Sequence, residues 1–382
     1  MNRRVGALLL LLWSGGAWAA RAPRVFDQAT WAESVHQAGL TTDEVVYPFA
    51  TTEGMAEWAD RRTRGASGPL ENLFSLQRAL FNTQEFSYKE GATLTAADAF
   101  EQRRGNCIAL TALFIALSRE QGLRTFLVAV HRVVEVSREE DLVVITRHVV
   151  AGHAQGTRTY LFDFYRRTND PVIRYRVVDD LVASSMYHSN LGGSLVRSGD
   201  LEGARRQLEI ATTLSPDWGD GWVNYGVVLR RLGDVDGAVS AYETALDIDS
   251  RNPSALSNLA SAYLELGDDL QARQALRAAS RRAHGPFALI SLADAEMGSG
   301  NTEEARRLLL RAKWRYGAWP ETEDALARVA VAAGQEDRAE RHLQRAARLR
   351  ERIQAQNALG PVLIYADGTP RPVWETTTIR AE

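Results

Sequence analysis

Residues 104 to 122 read Arg104-Gly105-Asn106-Cys107-Ile108-Ala109-Leu110-Thr111-Ala112-Leu113-Phe114-Ile115-Ala116-Leu117-Ser118-Arg119-Glu120-Gln121-Gly122. Gly105 and Asn106 break the chain. From Ile108 onward the side chains leave almost no polar face until Arg119, which is the pattern of a buried central helix, and Gly122 supplies its C-terminal cap. Cys107, the one cysteine of the 382 residues, stands at the mouth of that helix. A thiol at a helix N-terminus lies against backbone N–H groups and the positive end of the helix dipole, which favour thiolate. Taken alone, a lone cysteine is more often a small hydrophobe than a nucleophile. The chemistry therefore depends on whether the neighbouring sequence supplies a base and a group to orient it.

Upstream, Thr95-Ala96-Ala97-Asp98 reads as a capped helix start, with that helix ending near Arg104. Thr52 to Arg64 and Leu70 to Phe81 read as two further helices, separated by Gly65-Ala66-Ser67-Gly68-Pro69, that pack against the cysteine helix. Downstream the period changes from helical to extended. Arg124 to Val136 and Leu142 to Gly152 form a hairpin around a polar turn, Ser137 to Asp141, and Thr159 to Tyr165 is a third strand. His148 on the second strand and Asp163 on the third sit side by side if these strands pair antiparallel. His153 falls on the opposite face of its strand and His131 on the strand next to the cysteine helix, so both rank below His148.

A Gly-x-Cys opening a long apolar helix that ends in Gly-Leu, then a strand with His-Val and a further strand with an aromatic-Asp, resembles the transglutaminase-like superfamily, relatives of the papain-type cysteine proteases. The resemblance spans roughly Leu70 to Tyr175 and implies an α+β fold. It also implies a catalytic triad of Cys107 as nucleophile, His148 as general base and acid, and Asp163 holding the imidazole. Phe162-Asp163-Phe164 stands where many relatives have Asp-Pro.

The second half repeats. Gly199, Gly233, Gly267, Gly300 and Gly334 recur at intervals of 34, 34, 33 and 34 residues, and Ala204, Ala238, Ala272, Ala305 and Ala339 each follow by five. Small residues at Gly192, Gly226, Ala260, Ala293 and Ala327 keep the same register. This resembles the tetratricopeptide repeat at every register position and implies five stacked helix pairs, an all-α solenoid with a continuous concave surface. Such surfaces hold an extended peptide or another protein's tail. Asn190, Asn224 and Asn258 recur at 34-residue spacing on the inner helices and are candidate binding residues, the competing reading being packing between neighbouring repeats.

Met1-Asn2-Arg3-Arg4, an apolar Val5 to Trp13 and Ala17-Trp18-Ala19 together read as a secretory signal peptide. The expected domains are a signal peptide at 1–19, a transglutaminase-like domain at 20–178, five repeats at 179–352 and an extended tail at 353–382. The expected compartment is secreted or periplasmic, without a lipid-bearing cysteine or a stable membrane span once the signal is cleaved. A single cysteine allows no intrachain disulfide.

A formal net charge of −3 and 24% charged residues describe ordinary globular domains and give no footprint for nucleic acid. No phosphate loop and no metal-ligand spacing stands out, so no cofactor or metal is expected. The function implied is a thiol-dependent hydrolase or acyltransferase acting on protein or peptide amides, its solenoid recruiting substrate or partner. The alternative is a non-catalytic adaptor that retains the fold.

Overall fold

A computed structural model describes residues 28–358 and 378–380, apart from 83–84, 90, 140–141, 157, 165–174 and 283–284. Helices α1 (Gln28–Gln37), α2 (Glu53–Thr63) and α3 (Pro69–Asn82) come first. Strand β1 (Ser87–Tyr88), helix α4 (Ala96–Gln102) and strand β2 (Arg104–Gly105) lead into α5 (Cys107–Glu120). Strands β3 (Thr125–Glu139), β4 (Leu142–Gln155), β5 (Arg158–Phe162) and β6 (Tyr175–Val178) follow. Five helix pairs then run α6 (Asp180–Ser198) with α7 (Leu201–Leu214), α8 (Gly219–Arg231) with α9 (Val235–Ile248), α10 (Pro253–Glu265) with α11 (Asp269–Arg282), α12 (Phe287–Gly298) with α13 (Thr302–Tyr316), and α14 (Pro320–Ala332) with α15 (Glu336–Ala358). Strand β7 (Thr378–Arg380) pairs antiparallel with β5. The tail expected from residue 353 begins later, since residues 353–358 continue α15; residues 359–377 and the expected signal peptide lie outside the described residues.

The main sheet has the order β6-β3-β4-β5-β7 and is antiparallel throughout. One face, with Leu127, Ala129, Val149, Ala151 and Phe162, packs on α5 in a core shared with α2, α3 and α4. The other face gathers Phe126, Val128, Val130, Val150 and Leu161. Every α5 residue from Ile108 to Ser118 is buried, as an apolar helix without a polar stripe requires.

Several strand boundaries differ from the sequence reading, β4 among them, which runs on to Gln155. Ser137, Arg138 and Glu139 are not a turn; they pair with Val144, Val143 and Leu142, so the hairpin continues as a two-stranded ribbon beyond the sheet. Polar composition imitated a turn because this part of the hairpin has no sheet neighbour demanding an apolar face. The third strand ends at Phe162, leaving Asp163 just beyond it, and Tyr165 lies outside the described residues. Helix α1 and strand β6 were not anticipated: both are short and owe their burial to distant partners. Trp31 of α1, for example, donates its indole N–H to Ser184 of α6 at 3.0 Å.

In the solenoid the register positions do what their size allows. A Cβ on Gly226 would come within 2.5 Å of the Tyr242 ring, so only glycine admits this side chain between α8 and α9. Aspartates cap the second helix of the first three pairs: Asp200, Asp234 and Asp268 accept from the N–H groups of Gly203, Gly237 and Gln271 at 2.8, 2.9 and 3.0 Å.

Helix α6 belongs to both halves. Val182, Ala183 and Met186 lie in the core around α5, and His188 accepts from the Val46 N–H at 3.0 Å while its Nδ1 faces Gln207 at 2.7 Å. Burial holds His188 below the ordinary histidine value, consistent with a neutral ring that accepts a backbone hydrogen bond. At the far end of α5, Arg119 forks onto Asp180 at 2.7 and 2.9 Å and donates twice more to the Thr125 carbonyl, and the Tyr47 hydroxyl donates to the same carboxylate at 3.1 Å. Burial pushes the Asp180 carboxyl up, and the guanidinium opposes it. Removing one partner of such a pair leaves the other charge buried, at a cost of about 3–5 kcal/mol. Asp180→Ala should therefore lower the urea unfolding midpoint clearly, whereas Glu303→Gln, which breaks the exposed Arg306 pair on α13, should leave it unchanged.

Candidate active site

The mouth of α5 is built by backbone pairing. β1 and β2 pair in parallel, Ser87 with Arg104 and Tyr88 with Gly105, and the Asn106 N–H donates to the Ala92 carbonyl at 2.9 Å. A Cβ on Gly105 would come within 2.7 Å of the Ala109 Cβ, so glycine is the residue that lets this strand close on the first turn of the helix. Asn106 is the N-cap: its Oδ1 accepts from the Ala109 N–H at 3.0 Å and its Nδ2 donates to Thr93 Oγ1 at 2.8 Å. Cys107 is thereby fixed as the first helical residue, half-buried, beside N–H groups with no acceptor inside the helix.

His148 is 4% exposed. Its Nε2 lies 2.6 Å from Asp163 Oδ1, and the ring also hydrogen-bonds to the Cys107 thiol, for which Nδ1 is the nitrogen left. The β3–β4 register runs regularly from Thr125 opposite His153 to Val130 opposite His148 and then slips, Arg147 facing Val133. An irregularity of this kind re-aims side chains next to it, and here it falls at the residue that meets the thiol. Burial, the largest single influence on the ring, would lower its pKa. The hydrogen bond the ring donates to Asp163, then that with Cys107, then the charges of both outweigh burial and raise it to about 9.

Asp163 is aimed by its neighbours. Phe162 and Phe164 are both fully buried, their ring centroids 4.9 and 5.2 Å from that of Phe114 on α5. With the flanking rings turned into the core, the carboxylate faces the imidazole, its side chain 37% exposed. Sequence reasoning did not single out Phe114; its seven-residue spacing from Cys107, two turns along one helix face, was the available signal.

The structure thus brings Cys107, His148 and Asp163 together. His153 is elsewhere, its Nδ1 2.9 Å from the Arg124 carbonyl. His131 lies on β3, and its side chain is outside the described set. The three asparagines are not equivalent. Asn190 and Asn224 are exposed, Asn190 bonding its own helix at Met186 O and Asn224 reaching Ser189 of the preceding repeat at 2.9 Å, whereas Asn258 is only 1% exposed. A ladder of three open amides is therefore not present. Among the described residues no cluster of His, Cys, Asp or Glu could hold a metal, and no helix is long and apolar enough to cross a membrane.

The fold and the cysteine mouth define a transglutaminase-like domain joined to a helical repeat solenoid. The family model of the transglutaminase-like superfamily matches residues 56–140, a span that includes Cys107 and ends before His148. Tetratricopeptide repeat models match 185–209, 226–267 and 257–321. The chain therefore carries a transglutaminase-like domain followed by tetratricopeptide repeats, a repeat class that generally mediates protein–protein interaction.

Among curated proteins, the heat shock protein sti1 homolog of Schizosaccharomyces pombe is 34% identical over 101 residues, 26% of this chain and 16% of that protein's length. Solved structures with similar regions include pilF of Pseudomonas aeruginosa, at 20% identity over 43% of this chain and 75% of that one, TM-score 0.40. MamA of Desulfovibrio magneticus is 20% identical over 44% and 96%, TM-score 0.37. A thermophilic TPR protein of Thermus thermophilus is 21% identical over 46% and 98%, TM-score 0.39.

The folded His148 ring keeps its proton to about pH 9, against 6.5 for the ordinary group. The stability it supplies is therefore complete below pH 6.5 and is lost as pH rises through 9. The wild-type unfolding midpoint should fall across that interval, and the decline should be markedly shallower in His148→Gln.

Proposed function

We propose that this chain is an exported, thiol-dependent hydrolase or acyltransferase acting on amides of proteins or peptides, with the solenoid recruiting substrate or partner. The observation that carries the reading is the continuous Cys107–His148–Asp163 hydrogen-bonded chain at a helix N-terminus. A ring held protonated at neutral pH beside a thiol favours the thiolate–imidazolium pair from which cysteine nucleophiles act. Asp163 fixes the tautomer and the ring plane.

In the proposed reaction the Cys107 sulfur attacks the amide carbonyl carbon, and the electron pair of the C=O bond moves onto its oxygen. His148 then gives its proton to the amide nitrogen, the C–N bond breaks, the amine leaves, and a thioester remains. Water attacks the thioester, His148 takes its proton, and the C–S bond breaks to release the acid and the thiolate. A second amine in place of water gives transfer. Hydrolysis is preferred because transfer requires excluding water and the Asp163 side of the site is open. Export rests on the basic, apolar and small-residue pattern of residues 1–19.

An adaptor with the same fold needs no reactive thiol, so alkylation separates the two. Iodoacetamide should label native Cys107 at pH 6, where an unactivated thiol of pKa about 8.5 is almost wholly protonated. His148→Ala should slow labelling by about 10²-fold or more, Asp163→Asn by a smaller factor, and Cys107→Ala should abolish it. Labelling that follows an ordinary thiol in the wild type, or that is indifferent to His148, favours the adaptor.

A further inference from the structure

The second helices of the five pairs form the outer layer of the solenoid, and their charge changes sign along it. Helix α9 carries Asp236, Glu243 and Asp247 and no basic residue, whereas α11 carries four arginines to one aspartate and α13 five basic residues to two glutamates. The change can be read at a single register position. Ala245, Ala279, Ala312 and Ala346 are fully buried, and two residues beyond them stand Asp247, Arg281, Trp314 and Arg348, all exposed. Trp314 is thus flanked in register by an arginine of the repeat before and one of the repeat after. The first of these neighbours is fixed by contact. The Arg315 guanidinium donates to the Ser280 and Arg281 carbonyls at 3.0 and 3.3 Å, holding the end of α13 against the end of α11.

On its own helix Trp314 shares a face with Leu310, one turn back, and with Arg311, three residues back. Trp314 is 86% and Leu310 43% exposed. Among the described residues no carboxylate pairs with Arg281, Arg311 or Arg348, unlike Arg306 and Arg307, which pair with Glu303 and Glu304. Apolar side chains this exposed stand out from the surface rather than line a groove, so the face has no slot for an inserted strand or helix. It presents unpaired positive charge on three successive outer helices, with an indole projecting from the middle. A bilayer interface suits that combination: anionic headgroups attract the arginines, and an indole, apolar with one N–H, settles at headgroup depth. We propose that the outer face of the last three repeats is an adsorption site for an anionic lipid bilayer, with Trp314 entering the headgroup layer and Arg281, Arg311 and Arg348 meeting lipid phosphates. Adsorption of this kind is peripheral and calls for no spanning helix. It uses the outer rather than the concave face of the solenoid and is independent of the chemistry proposed for Cys107.

The test is co-sedimentation of the full chain with vesicles of mixed phosphatidylglycerol and phosphatidylcholine, and with vesicles of phosphatidylcholine alone. Residues 5–13 are apolar and favour both lipids alike, so the result is read from the difference between lipids and between variants. Wild type should partition at least about tenfold more strongly onto the phosphatidylglycerol vesicles, and high salt should remove that preference by screening the charges. Arg281→Glu combined with Arg311→Glu should lower the partition coefficient about tenfold or more, and Trp314→Ser about fivefold. Leu270→Ser, 68% exposed at the opposite end of α11, should match wild type. Every change is at an exposed position, and unaltered circular dichroism and unfolding midpoints show that the repeats stay folded. The proposal is overturned if wild type partitions equally onto both lipids, or if the arginine and tryptophan variants bind as wild type does. Sedimentation velocity and binding to poly-glutamate, run on the same proteins, identify the other occupants. Arginine-dependent self-association without vesicle binding assigns the face to a second copy of the chain, and arginine-dependent poly-glutamate binding without vesicle binding assigns it to an acidic protein; either overturns the lipid reading.

Discussion

The fork from Arg119 to Asp180 is what allows α5 to be buried from Ile108 to Ser118. An apolar helix with no polar stripe must be covered on every side, and its last turn carries an arginine that cannot be left unpaired. The carboxylate that meets it is the first residue of α6, so the negative end of one helix dipole and the positive end of another each receive the charge that suits them. The guanidinium also satisfies the Thr125 carbonyl at the entry to β3 and stacks 4.7 Å over the Phe49 ring. Helix, sheet and first repeat are fastened at one point. The core around α5 runs without interruption into α6, so a boundary drawn at residue 178 divides the sequence more cleanly than it divides the packing.

With that end fixed, one helix positions every part of the candidate site. Cys107 stands in its first turn, Phe114 two turns on holds Phe162 and Phe164, and those two rings turn Asp163 toward His148. Displaced aromatic pairs of this kind contribute about 0.5–1.5 kcal/mol each beyond their buried area. Their larger effect is directional, since a carboxylate between two anchored neighbours has little freedom left. The irregular register opposite His148 completes the arrangement from the sheet side.

What the sequence made legible was whatever is written locally. The Gly105-Asn106-Cys107 mouth, the capped helices on either side and the repeat register all follow from spacing and side-chain size, and the structure places each where that reasoning put it. His148 and Asp163 could be named because strand alternation and the rarity of an acid between two phenylalanines narrow the choice. The rest depended on contacts distant in sequence. Ser137 to Glu139 were read as a turn because their polarity answers to no sheet neighbour, and β6 is four residues whose identity as a strand comes from pairing with β3. The three asparagines looked equivalent because a repeat register fixes their place on the helix and not their burial, which differs from repeat to repeat.

That inequality bears on how firmly the two halves are joined where β4 meets α10. Near Arg119 the join is apolar packing around a paired charge, and opening it would expose both. At α10 the buried stripe is serine and asparagine, groups that water solvates almost as well as protein does, so that exchanging one set of hydrogen bonds for another changes the free energy by only about 0.5–1.5 kcal/mol for each. The two halves are therefore joined most firmly where α5 meets α6, around the Arg119–Asp180 fork.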